Sequence, residues 1–169
     1  LGDLPYGYDH KFTYSSIGYN LKATDLQASI GCAQIDKLES FIKIRKSNWK
    51  KIDEFFSKYE KFFIRHQATE NSEPSWFGYA LTVKENNKFN RDELVKYLNE
   101  NRIATRLMFG GNLIKQPAYK DKNFIISEDL KNADIVMKSS FWIGVYPGID
   151  SEMLNYVFET FSQFLDSKK

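Results

Sequence analysis

One run of sequence sets the scale of any fold this chain can adopt. From Thr24 to about Tyr59, apolar residues recur at helical intervals: Leu26, Ile30 and Ala33, then Leu38, Ile42, Trp49, Ile52, Phe56 and Tyr59. Such spacing lines one face of a helix. Thr24 with Gln27 three residues on is a capping-box pattern, in which the hydroxyl accepts an orphan N–H and the amide reaches back to the cap. The pattern predicts one long helix, residues 24–60, connecting an aromatic loop segment (1–23) to a C-terminal domain (61–169). A helix of that length exceeds the usual three to four turns, so its halves are expected to pack on different bodies.

The loop ahead of the helix carries Gly18, Tyr19, Asn20, Leu21 and Lys22. A Gly, an Asn and a Lys beside a helix N-terminus, with its free N–H groups and positive dipole, can hold an anion; an ordinary capped helix with a Gly turn before it accounts for the same residues. Tyr6, Tyr8, Phe12, Tyr14 and Tyr19 follow no helical or strand period, and such aromatics call for burial against a second chain or another domain. The opening run from Leu1 to Gly7 is turn-rich, and we expect the chain to be a C-terminal piece of a longer protein.

After the long helix, the β-branched and aromatic content of Ser75 to Val83 predicts a strand. Asn90 caps a helix over Arg91 to Asn101, and Ile103 to Met108 reads as a short strand ending in Gly110-Gly111-Asn112, a sharp turn. A helix is predicted over Asp129 to Met137 and a strand over Phe141 to Val145. A terminal helix starts at Asp150 or Ser151, with Met153, Leu154, Val157, Phe158, Phe161 and Leu165 inward. Strands separated by helices, with antiparallel returns, give an α/β (α+β) sandwich of two layers.

Lys plus Arg number 24 against 22 Asp plus Glu, a balance that gives no reason to propose nucleic acid or an anionic membrane as partner. No apolar run reaches bilayer-spanning length, and a cytoplasmic protein is expected. The single cysteine, Cys32, makes no internal disulfide and no metal site alone. It reads as a small apolar residue on a helix. His10 and His66 stand apart from any metal-ligand spacing and read as surface or loop residues. No P-loop, GxGxxG or Ser–His–Asp arrangement is present. Arg106, on a strand before a double-Gly turn, suits a carboxylate or phosphate, or equally a structural salt bridge. Asn112 can bond its own turn or aim its amide at a ligand hydroxyl.

Gly18-Tyr19-Asn20-Leu21-Lys22 leading into Leu26-Gln27-Ala28, Ile44-Arg45-Lys46 followed by Trp49, and Thr105-Arg106 followed by Gln116-Pro117-Ala118-Tyr119 resemble the C-terminal half of the DegT/DnrJ/EryC1/StrS sugar aminotransferase family. These are fold-type I enzymes that use pyridoxal phosphate. Leu1 to Pro5, Gly7 to Lys11, Pro74 to Gly78, Gly111-Asn112-Leu113 and Phe141 to Gly148 are similar to its CDP-4-keto-6-deoxy-D-glucose-3-dehydrase group, which makes deoxysugars for lipopolysaccharide O-antigen. Aminotransferases of the family carry a Pro and a His near Gly110 to Asn112.

The resemblance implies a small domain with a mostly antiparallel sheet covered by helices. It also implies a homodimer in which Asn20 reaches the cofactor phosphate of the neighbouring subunit and Phe12 lies near that subunit's substrate. Lys22, where relatives carry Arg, together with Arg106 and Asn112, is implied to contact the nucleotide-sugar substrate. Pyridoxal or pyridoxamine phosphate, an iron–sulfur cluster with ligands outside this chain and a flavin/iron–sulfur reductase partner follow from the same resemblance. So does an absence of catalytic residues from this piece, leaving it inactive alone. A sugar-nucleotide aminotransferase and a non-enzymatic dimerisation domain are the alternatives. The aromatic segment around Phe12, Tyr14 and Tyr19 is expected to drive self-association of the isolated chain. Light scattering at high concentration should show a mass above the monomer; a clean monomer would contradict it.

Overall fold

The computed structural model describes residues 16–19, 21–119 and 121–168. The expectations for His10, Phe12, Tyr14 and Asn20 lie outside them. The chain divides between Leu38 and Glu39 into two compact units.

In the first unit, α1 spans Asp25–Ile35. Thr24 holds the extended backbone of an N-cap and forms the capping box: its Oγ1 accepts the Gln27 N–H at 3.3 Å, and Gln27 Oε1 accepts the Thr24 N–H at 2.9 Å. No residue of α1 is buried; Cys32, read as a small apolar helix residue, is exposed.

Two helices stand where the sequence predicts one, for α1 stops at Ile35 and α2 runs from Leu38 to Phe56. Between them, the Lys37 N–H closes a tight i to i−3 bond on the Gln34 carbonyl at 3.0 Å, the type that ends helices. The sequence marks the place, because the apolar stripe steps by five residues from Ala33 to Leu38, off the face that steps of three and four maintain.

The second unit is built on four strands: β1 (Phe63–Arg65), β2 (Gly78–Val83), β3 (Thr105–Leu107) and β4 (Ser140–Gly144). Their order is β1-β2-β4-β3, with every pairing antiparallel. Directly opposed residues share a face. Phe63 with Val83, Leu81 with Phe141 and Tyr79 with Ile143 therefore line the inner face, and all six are buried. Ile52 and Phe56 from α2, Leu94 and Leu98 from α3 (Arg91–Glu100), and Leu154, Phe161 and Leu165 from α5 (Ser151–Asp166) complete that core. Helix α4 (Lys131–Ser139) leads directly into β4. Asn90 and Asp150 cap α3 and α5, each carboxamide or carboxylate oxygen accepting the N–H three residues on at 3.0 and 2.9 Å.

The centre of the core is aromatic. Phe56 stacks on Tyr79 with centroids 5.4 Å apart, while the Phe63 and Phe161 rings meet Phe56 edge-on. The Tyr79 hydroxyl donates to Asp53 Oδ1 at 2.6 Å, and Arg65 bonds the same oxygen at 2.6 Å and Glu60 at 2.5 Å. Burial, then the Asp53 carboxylate, holds the Tyr79 phenol far above its usual range. A phenol held protonated stays a donor to Asp53 at neutral pH.

His66, read from the sequence as a surface or loop residue, is half-buried against Trp49, Trp76 and Tyr79. The Trp49 indole N–H donates to His66 Nε2 at 3.0 Å. An indole only donates, so Nε2 is the acceptor of that bond, while Nδ1 faces both the Ala80 carbonyl at 3.1 Å and the Ala80 N–H at 3.2 Å. Burial lowers the His66 pKa below 6.5.

Two outcomes follow from this core. Phe56→Ala removes a fully buried ring and should cost about 3–5 kcal/mol in urea unfolding; a loss below about 1 kcal/mol would show that the stack is not central. Because folded His66 resists protonation, its contribution is complete above pH 6.5 and declines as pH falls from 6.5 toward the lowered folded value. Stability measured at pH 7.5 and 5.5 should drop at the lower pH by more in the native chain than in His66→Gln.

Candidate functional site

Of the residues that the sequence proposes for a site, Arg106 and Asn112 come together on one segment, β3 and the turn after it. Arg106 pairs across the sheet with Trp142, on the face opposite Tyr79 and Phe141. It is exposed, and among the described residues no carboxylate pairs with it. Among these residues the structural salt bridge that its sequence context allows is not formed, and the guanidinium fork faces solvent as a donor suited to an anion.

The turn beyond β3 is held rigidly. Phe109 and Gly111 both take positive φ, +46° and +58°. A Cβ at Gly111 would lie 2.7 Å from the Met137 side chain on α4, so glycine is required there twice over, for conformation and for space. Gln116 Nε2 donates to the Gly110 carbonyl at 2.8 Å, closing the turn from its far side.

Asn112 is only 3% exposed. Its amide donates neither to its own turn nor outward but to Asp134 Oδ1 on α4, at 2.8 Å. Lys115 bonds the same oxygen at 2.6 Å, and it and Asn112 hold the Asp134 carboxyl below its usual range. The three side chains therefore clamp the turn to α4. Asn112 acts on the geometry of the Arg106 segment from within.

Lys22 is exposed, two residues ahead of the capped start of α1. It belongs to the first unit and Arg106 to the second. Asn20 and Phe12 lie outside the described residues.

The Pro74-Ser75-Trp76-Phe77-Gly78 run is positioned by contacts that sequence reasoning missed. Trp76 packs on Trp49 with centroids 4.8 Å apart and on His66 at 4.6 Å. Phe77, next along, meets Trp142 edge-on at 5.2 Å. The signal available was the density of aromatics in Trp76, Phe77 and Tyr79 set against Trp49 on the helix. Among the described residues no group of His, Cys, Asp and Glu can hold a metal ion, and no helix is long and apolar enough to cross a membrane.

Comparison with known proteins gives this arrangement a context. Residues 5–162 match the DegT/DnrJ/EryC1/StrS aminotransferase family. The chain is 48% identical over 164 residues to the lipopolysaccharide biosynthesis protein RfbH of Salmonella typhimurium, covering 97% of this chain and 38% of that protein. It is 44% identical over 165 residues to the dTDP-4-dehydro-2,6-dideoxy-D-glucose 3-dehydratase of Saccharopolyspora spinosa, covering 98% and 36% respectively. An E. coli GDP-4-keto-6-deoxy-D-mannose-3-dehydratase, solved with bound hydrated PLP, superposes with a TM-score of 0.73 at 26% identity, over 90% of this chain and 39% of that one. The chain thus spans well under half the length of these relatives. Its fold, its motifs and this match over nearly all of its residues agree: the chain belongs to the DegT/DnrJ/EryC1/StrS aminotransferase family.

Proposed function

We propose that this chain is the C-terminal part of a pyridoxal/pyridoxamine-phosphate-dependent nucleotide-sugar 3-dehydratase, acting on CDP-4-keto-6-deoxy-D-glucose in deoxysugar formation for lipopolysaccharide O-antigen. The observation that carries the reading is the near-complete match of the chain to a lipopolysaccharide biosynthesis protein and a 3-dehydratase at 48% and 44% identity. The Gly110-Gly111-Asn112 turn agrees with it. Gly111 is fixed by its φ of +58° and by Met137, where the family's aminotransferases carry Pro and His.

In this reading the exposed guanidinium of Arg106, paired with no acid among the described residues, holds an anionic part of the nucleotide sugar. Asn112 keeps that segment in place through Asp134, and its amide oxygen is the group assigned here to a substrate hydroxyl. Lys22 and the capped N-terminus of α1 fit a phosphate, since an exposed ammonium lies beside a positive helix end. Asn20 and Phe12 act across a homodimer interface, on the neighbouring subunit's cofactor phosphate and substrate. When bound, the cofactor supplies the electron sink for loss of the 3-hydroxyl; the residues of this chain bind and orient.

An iron–sulfur cluster and a reductase partner complete the proposed enzyme. The residues here do not fit the cluster: Cys32 is the single cysteine and sits exposed on α1. The cluster ligands belong elsewhere in the longer protein, and the chain by itself is inactive. The protein is placed in the cytoplasm, where its nucleotide-linked substrate would be made.

The test uses the full-length protein incubated with pyridoxamine phosphate, CDP-4-keto-6-deoxy-D-glucose and a reductant. Loss of the 3-hydroxyl that needs both cofactor and reductant is expected. Transfer of nitrogen from glutamate to the sugar would make the protein an aminotransferase, and turnover by the isolated chain would overturn its inactivity.

A further inference from the structure

Helix α2 lies along residues 73–79 in a seam with three rungs. The Tyr79 hydroxyl reaches Asp53, Trp76 packs on Trp49 with centroids 4.8 Å apart, and Lys46 bonds Glu73 at 2.6 Å. Arg45 stands beside the Lys46 rung, one helical turn ahead of Trp49, and Ser75 stands between the Glu73 and Trp76 rungs. Both therefore belong to the same end of the seam. Both are half-buried, and each keeps a buried polar atom without a partner, Arg45 Nε and Ser75 Oγ. Among the described residues no carboxylate pairs with Arg45. The other arginines with buried side chains behave differently: Arg65, 17% exposed, bonds Asp53 and Glu60, and Arg91, 10% exposed, bonds Asp92. A cation drawn out of water destabilises a fold unless an anion joins it.

We propose that Arg45 and Ser75 form a receptor for one carboxylate side chain, carried by the part of the longer protein that lies outside this chain, and that this end of the seam is where that part docks. The inference rests on the reading of the chain as part of a longer enzyme. The chain covers only 38% and 36% of the two relatives above, so a protein of their length has most of its residues elsewhere. A guanidinium takes a carboxylate side-on, with Nε and one Nη donating in parallel, and the Ser75 hydroxyl is a further donor. A phosphate dianion fits less well, because the neighbouring cation, Lys46, is already held by Glu73. A free carboxylate would also give up its own translational freedom on binding; a side chain on the same polypeptide is present at high effective concentration.

The experiment is zero-length carbodiimide coupling of the full-length protein, read by peptide mass spectrometry. The Lys46–Glu73 pair, at ion-pair distance, is the internal control. Arg45→Lys keeps the charge and supplies an amine, so a new amide should join that position to an Asp or Glu outside these 169 residues. Arg45→Met should lower the melting temperature of the full-length protein by several degrees, since it leaves the docked acid unpaired, and Ser75→Ala should lower it less. Arg45→Glu combined with Lys in place of the identified acid should recover most of that loss, as an exchanged charge pair does. Coupling only to acids of this chain, or none at position 45 while Lys46 and Glu73 couple, would overturn the receptor and leave the dehydratase reading standing. An Arg45→Met protein that melts no lower than the native one would do the same. Failure of the 3-hydroxyl assay above would overturn the dehydratase reading and leave the coupling result in force.

Discussion

The second unit depends on one contact, the Phe56 ring laid flat on Tyr79. It joins the end of α2 to the middle strand pair, and everything on the outer face of the sheet inherits its position from there. Dispersion and apolar burial supply most of its strength, but rings alone would slide. The bond from the Tyr79 hydroxyl to Asp53, with Arg65 on the same oxygen, fixes the register of helix on sheet. A charged pair of this kind is weak evidence for stability by itself; its contribution here is direction.

From that anchor the path to the site is short. Tyr79 faces the core from β2, and its neighbours Gly78 and Phe77 lead out to the aromatic run that His66, Trp49 and Trp76 hold. On the far side of β4, Arg106 stands across from Trp142, and the following turn is tied to α4 by Asn112, Asp134 and Lys115. Three sequence-distant segments are thereby held at one edge by separate fastenings, which is how loops carry precise chemistry on a rigid scaffold.

What could be read in advance was what is encoded within a few residues. Thr24 with Gln27, Asn90 with Glu93 and Asp150 with Met153 announce three helix starts, each by a bond three residues long. The alternation of β2 and the apolar run of β4 likewise named their strands. The long-range fastenings were not legible: Trp49 reaches His66 across 17 residues and Asn112 reaches Asp134 across 22, and no periodicity records such pairings. His66 therefore looked like a loop residue and Asn112 like a turn residue or a ligand contact. The helix break at Asp36 was legible in the five-residue step but hidden by strong helical propensity on both sides. Arg106 was singled out as a cation for either a ligand anion or an internal acid, and only the structure shows that among the described residues no acid pairs with it.

Helix α1 presents a different kind of problem. It has 11 residues, a complete capping box and no buried side chain, a length at which an isolated helix is marginal in water. Its order thus leans on the cap, since none of its side chains is buried. Whatever surface comes to cover Leu26 and Ile30 acts as a ligand for the helical state, and by linkage must stabilise the helix as much as the helix strengthens its binding. Folding at this end of the chain and the binding of that surface are then one equilibrium.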